Sequence, residues 1–111
     1  MNVWLVSYQE ECGGSSHDCH MLLRGADLPL AEAACDRMGR AWWYPERPVS
    51  VQGCYWQFSR GAVWLNVIVQ LTGQQEKTLS GLGFLDCWQV TGTPDMPVIS
   101  DRHGNCWEAH R

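Results

Sequence analysis

The first apolar run, Val3-Trp4-Leu5-Val6-Ser7-Tyr8-Gln9, reads as a β-strand with two hydrophobic faces, Val3 and Leu5 on one and Trp4, Val6 and Tyr8 on the other. Successive strand residues point to opposite sides, so this pattern predicts a strand covered on both faces, central in its sheet. Glu11-Cys12-Gly13-Gly14-Ser15-Ser16 is turn chemistry, and strand character resumes from Cys19 to Arg24. The two segments predict a hairpin with a long polar tip. The period then changes to that of a helix. Ala31, Ala34, Cys35 and Met38 recur at spacings of three and four, with Glu32, Asp36 and Arg37 on the opposite side. Asp27 suits the N-cap, Pro29 is tolerated in the first turn, where its missing N–H has no partner to lose, and Gly39 is expected just past the C-terminus.

Residues 41 to 53 contain two prolines and no periodicity, which predicts a loop, although one rich in aromatic residues. Strands are expected over Cys54–Ser59 and Ala62–Leu71, joined at Arg60-Gly61. Alternation in the second places Val63, Leu65, Val67, Val69 and Leu71 on one face. Gln74 to Ser80 suits a short helical turn, and Phe84 to Val90 suits a further strand. Pro97 to Glu108 has apolar ends around His103-Gly104, a hairpin signal. This order predicts an α+β fold: a single antiparallel sheet of about five to seven strands with one main α-helix packed on one face, within one domain spanning residues 1–111.

Composition narrows the function classes. Of the 111 residues, 45% are hydrophobic and 18% charged, which excludes a disordered chain. Eight cations against twelve acids leave a net charge of −4, and Lys77 is the only lysine. Binding to a phosphate backbone draws on a basic surface, so no direct nucleic acid binding is expected. The sequence enters its first strand without a signal-peptide pattern, and no apolar run approaches the roughly 20 residues of a membrane span. A cytoplasmic protein with no membrane association is expected.

Six cysteines with no secretory context read mainly as small apolar core residues. Cys12 and Cys19 flank the hairpin tip and would bridge it only under oxidising conditions. Cys12, His17, Cys19 and His20 lie within nine residues and make a candidate zinc set. The spacing lacks the C-x2-C knuckle, however, and Cys19 and His20 belong on opposite sheet faces. No metal or other cofactor is therefore expected. No nucleophile, metalloprotease or phosphate-loop motif is present, so no catalytic residue is assigned. Trp42, Trp43, Tyr44 and Arg47 stand together in the proline-stiffened loop and are the residue types that dominate interface hot spots. The alternative for at least one of the tryptophans is that it closes the core at the helix end. Glu10, Glu11 and Asp18 form an acidic edge at the first hairpin.

The layout as a whole resembles the small accessory proteins of phages and mobile elements, including inhibitors of CRISPR systems. The resemblance rests on the initial strand Val3 to Tyr8, the polar hairpin, the short helix Asp27 to Gly39 and the terminal hairpin Ser100 to Glu108. It implies a non-catalytic, stoichiometric inhibitor that occupies a surface of a bacterial protein or protein complex in the host cytoplasm. The acidic edge and the 42–47 loop would supply the contacts. Two other readings stand beside it. One is a small zinc module built on Cys12, His17, Cys19 and His20. The other is a self-assembling protein, for instance a homodimer through a strand edge or the aromatic loop.

Overall fold

The computed structural model describes residues 2–101, 103 and 106. Its strands are β1 (Asn2–Cys12), β2 (Ser15–Gly25), β3 (Ser50–Gln52), β4 (Tyr55–Gln57), β5 (Gly61–Gln70), β6 (Asp86–Gly92) and β7 (Pro97–Asp101). Its helices are α1 (Leu28–Ala41) and α2 (Gly73–Ser80). The strands form one sheet in the order β3-β4-β5-β1-β2-β6-β7, which puts β1 in the middle, as its two apolar faces require. The fold is α+β, but the sheet is mixed: β6 runs parallel to β2, while the other pairs are antiparallel. Because β5 and β6 run in the same direction with β1 and β2 between them, their connection has to cross a face of the sheet. Helix α2 makes that crossing, on the face opposite α1. The short helical turn expected at 74–80 is thus a full crossover helix, started by a reciprocal capping box between Thr72 and Gln75.

The β1–β2 hairpin is longer than expected and its turn is tighter. Pairing continues to Cys12 opposite Ser15, and the loop is Gly13-Gly14 alone, with φ of 59° and 84°. Positive φ at both central positions is the type I′ condition. Two glycines meet it without steric cost, so the flanking polar residues stay in the strands.

Two further expectations are corrected. First, the five alternating apolar residues of β5 do not share a face. Tyr8 pairs with Leu65 and Ser7 with Val67, so Asn66 is an extra residue in β5, a β-bulge. It leaves Val63 and Leu65 facing α1 and turns Val67, Val69 and Leu71 to the other side, because a shift of one residue reverses every later side chain. Second, Gly39 does not end α1. The helix runs on to Ala41, and the N–H groups of Trp42 and Trp43 both reach the Met38 carbonyl, at 2.7 and 2.8 Å. Gly39 is needed because the Trp56 ring lies against the helix there. A Cβ on residue 39 would sit 2.3 Å from Cε2 of Trp56.

The larger core lies on the α1 side. Leu30, Ala31, Ala34, Cys35 and Met38 of α1 pack on Trp4, Val6, Met21, Leu23, Trp56, Val63, Val90 and Ile99. Asp27 accepts a 3.0 Å bond from the Leu30 N–H, the expected N-cap. A smaller cluster on the other side joins Val3, Leu22 and Leu85 to Leu5, Leu71, Leu79 and Cys87 beneath α2. Near the C-terminus, an antiparallel bridge joins Ser100 to Cys106, and the rest of the expected 97–108 hairpin lies outside the described residues. No helix among the described residues is long and apolar enough to cross a membrane.

Replacing Gly39 with Ala sets two effects against each other. Alanine gains about 1 kcal/mol of helix propensity, whereas a methyl group driven into an aromatic ring costs about 1–3 kcal/mol or more. The overlap at 2.3 Å makes the steric term the larger. Gly39→Ala is expected to lower the urea midpoint with an unchanged m-value; an equal or higher midpoint would contradict the packing.

Candidate functional site

The aromatic loop, the surface singled out in the sequence, is largely interior. Trp43 stacks on Tyr8 with ring centroids 3.9 Å apart and meets Trp56 edge-on at 5.6 Å. Tyr44 stacks on Phe58 at 4.4 Å and donates its hydroxyl to Sγ of Cys12 at 3.3 Å. Trp43 is 7% exposed and Tyr44 5%, so neither presents a binding surface, and the expectation that they do so is corrected. The cause is geometric: α1 packs on β2, β6 and β7, and the loop fills the remainder of that face over β1, β4 and β5. Trp42 is half-buried, edge-on to Trp88 at 5.6 Å, and Arg47 is exposed. Glu46 fastens the loop to the β4–β5 turn, accepting bonds from Ser59 Oγ at 2.5 Å and from Arg60 Nη2 at 3.0 Å.

The candidate metal ligands do not converge. Cys12, His17 and Cys19 lie on the α1 side of the hairpin, while His20 lies on the other face with Nδ1 2.8 Å from Ser7 Oγ. Among the described residues no group of three His, Cys, Asp or Glu is placed to hold a metal ion. Cys12 is opposite Ser15 and Cys19 opposite Tyr8, about 13 Å apart along the ladder, too far for the disulfide considered across the tip. Burial pushes the Cys35 thiol up to about 12, and it also raises Cys19 above its ordinary value, which suppresses both thiolates. Tyr44 is pushed up to about 12, first by its bond to Cys12 and then by burial. His20 bonds Ser7, but among the described residues no third group orients its ring, as nucleophilic catalysis would require.

The surface that stays open is the other face of the sheet, in the half nearer the Gly13-Gly14 turn. Helix α2 covers the half farther from that turn. Strand register sets one row of side chains across the open half: Tyr55 of β4, Trp64 of β5, Gln9 of β1 and Asp18 of β2. Tyr55 and Trp64 stack with centroids 5.7 Å apart and planes 14° from parallel, and Tyr55 is 40% exposed. The next row toward the turn contains Glu11 and Ser16, and the next row away from it contains Ser7 and His20. Glu11 and Asp18 are exposed, whereas Glu10 is half-buried on the α1 side. The ion pairs among the described residues join Arg24 to Glu76, Arg40 to Asp36 and Arg60 to Glu46, so none neutralises these three acids.

Tyr55 and Trp64 were not singled out in the sequence, yet a signal was present. Once Val63 and Leu65 are assigned to the core face, period-two alternation puts Trp64 on the opposite face, where a tryptophan needs another explanation. Compared with family models, curated proteins and solved structures, the chain matches none at a significant level.

The Ser59 and Arg60 bonds hold the Glu46 carboxyl below its usual range. A carboxylate with a depressed folded-state pKa adds stability above its unfolded pKa, and that contribution is lost as pH falls through the folded value. Urea unfolding should therefore show a stability loss as pH falls below the ordinary carboxylate range, and that loss should be smaller in Glu46→Gln. Parallel pH profiles for the two proteins would show that Glu46 does not clamp the loop.

Proposed function

We propose that the chain is a non-catalytic protein-binding module that docks a partner on the open sheet face, with Tyr55 and Trp64 as anchor. The observation behind this reading is the Tyr55–Trp64 stack, with Tyr55 exposed and Trp64 half-buried, on the half of the sheet face that no helix of the described residues covers. Paired aromatics bury a large area with little rotamer entropy to lose, and for that reason they concentrate at interface hot spots. Glu11 and Asp18, which have no cationic partner among the described residues, flank the stack and favour a partner whose matching surface is basic. A stoichiometric inhibitor of a bacterial protein complex, the class whose layout the chain resembles, would act in this way, by occupying a surface.

The test is capture from bacterial lysate by the wild-type protein, Trp64→Ala and Asp18→Lys in parallel. Loss of a hot-spot aromatic costs about 2 kcal/mol or more, so Trp64→Ala should bind the captured partner roughly 30-fold more weakly. Asp18→Lys should chiefly slow association and flatten its salt dependence. Equal capture by all three proteins would remove the open face from consideration.

A further inference from the structure

The outer edge of β5 changes character halfway along. Ala62 to Trp64 pair with β4, and Leu65 donates its N–H to Cys54. Beyond that point β5 has a single neighbour among the described residues, β1, so within them Asn66 to Gln70 form a free edge. Leu71 donates its N–H to the Val3 carbonyl, toward β1. Alternation along an antiparallel strand then turns the N–H and C=O of Ile68 and Gln70 outward, where no backbone group of the described residues meets them.

Free edges in native sheets are usually blunted by shortness, proline or charge. The others in this sheet follow that rule. Strand β3 has three residues, β7 begins at Pro97, and the unpaired stretch of β2 carries His17, Asp18 and His20. The β5 edge, Asn66-Val67-Ile68-Val69-Gln70, has neither charge nor proline. Val67 and Val69 are 44% and 45% exposed. Beside them a groove of about 620 Å³ runs along α2, floored by Leu5, Val69 and Leu71.

We propose that this edge is the interface of a two-fold homodimer, in which β5 pairs antiparallel with β5 of a second copy about an axis at Val69. The register follows from the residues. Ile68 of each copy exchanges backbone bonds with Gln70 of the other, Val69 meets its own symmetry mate, and Val67 lies opposite Leu71 of the second copy. All the apolar side chains on the α2 face then meet across the axis, and the groove becomes the floor between the two copies of α2. The self-matching register favours a second copy over another occupant, and charge does not oppose it at this edge. Two chains of net charge −4 repel at their acidic ends, whereas this edge and its rim of Thr72, Gln74, Gln75 and Thr78 are uncharged. A basic peptide would find no acid there to select it. The edge is separate from the Tyr55–Trp64 row, so the dimer and the partner-binding reading stand or fall independently.

Sedimentation equilibrium from low micromolar to millimolar concentration should show the mass rising from 12.6 kDa toward twice that value. Over the same range, hydrogen exchange at the Ile68 and Gln70 amides should slow. Val69→Lys, which sets two cations together on the axis, should remain monomeric while keeping the wild-type circular dichroism spectrum. Trp64→Ala and Val98→Lys should dimerise normally. A wild-type monomer at every concentration would overturn the proposal. So would a dimer that persists in Val69→Lys or leaves the two amides unprotected.

Discussion

The indole of Trp56 lies against the backbone of α1 at Gly39, and much of the molecule is arranged around that contact. It brings a three-residue strand into the centre of the core, where Trp56 is 1% exposed. Burying a side chain of this size stabilises the fold by on the order of 5 kcal/mol, comparable with the whole net stability of an ordinary small domain. The same ring is the wall against which Trp43 turns edge-on, and Trp43 in turn stacks on Tyr8 of the central strand. Helix end, aromatic loop, β4 and β1 are thereby interlocked, and the interlock depends on a residue with no side chain at position 39.

One consequence is a sheet with unequal faces. The α1 side is covered by the helix and then by the aromatic loop, except at Cys12, Ser15 and His17 beside the hairpin turn, with Glu46 clamping the loop to Ser59 and Arg60. Among the described residues the other side has only α2, an eight-residue helix that spans about 12 Å. Seven strands make a sheet about 29 Å wide, so one short helix leaves much of that face without cover. The bulge at Asn66 adds to this, because it sends Val67 and Val69 out of the core and onto the open side. The aromatic row near the hairpin turn and the valine edge away from it are two products of the same incomplete coverage.

What could be read from the sequence was what local chemistry dictates. The two-faced pattern of Val3 to Tyr8 placed β1 at the centre, Asp27 and Pro29 fixed the start of α1, and the spacing of Ala31, Ala34, Cys35 and Met38 fixed its buried face. Opposite directions for Cys19 and His20 followed from strand alternation, and the ladder has them so. These features depend on residues within a few positions of one another, where backbone geometry leaves few alternatives.

Tertiary structure decided everything that depended on a distant neighbour. Trp42, Trp43 and Tyr44 have the composition of an interface, and only the arrival of Tyr8, Trp56 and Phe58 from other strands makes two of them core. Gly39 has the form of a helix terminator, and it is instead a contact surface for a residue seventeen positions away. The alternation in β5 is a regular strand pattern until pairing with β1 inserts Asn66 as an extra residue. The sequence by itself determined α1, most of the strands and the centre of the sheet, because periodicity and capping act locally, whereas β3 lies within the 41–53 stretch read as a loop and forms only by pairing with β4. Which aromatic residues are buried, which face stays open and which edge stays unpaired were settled by packing, because burial belongs to pairs of segments and not to either alone.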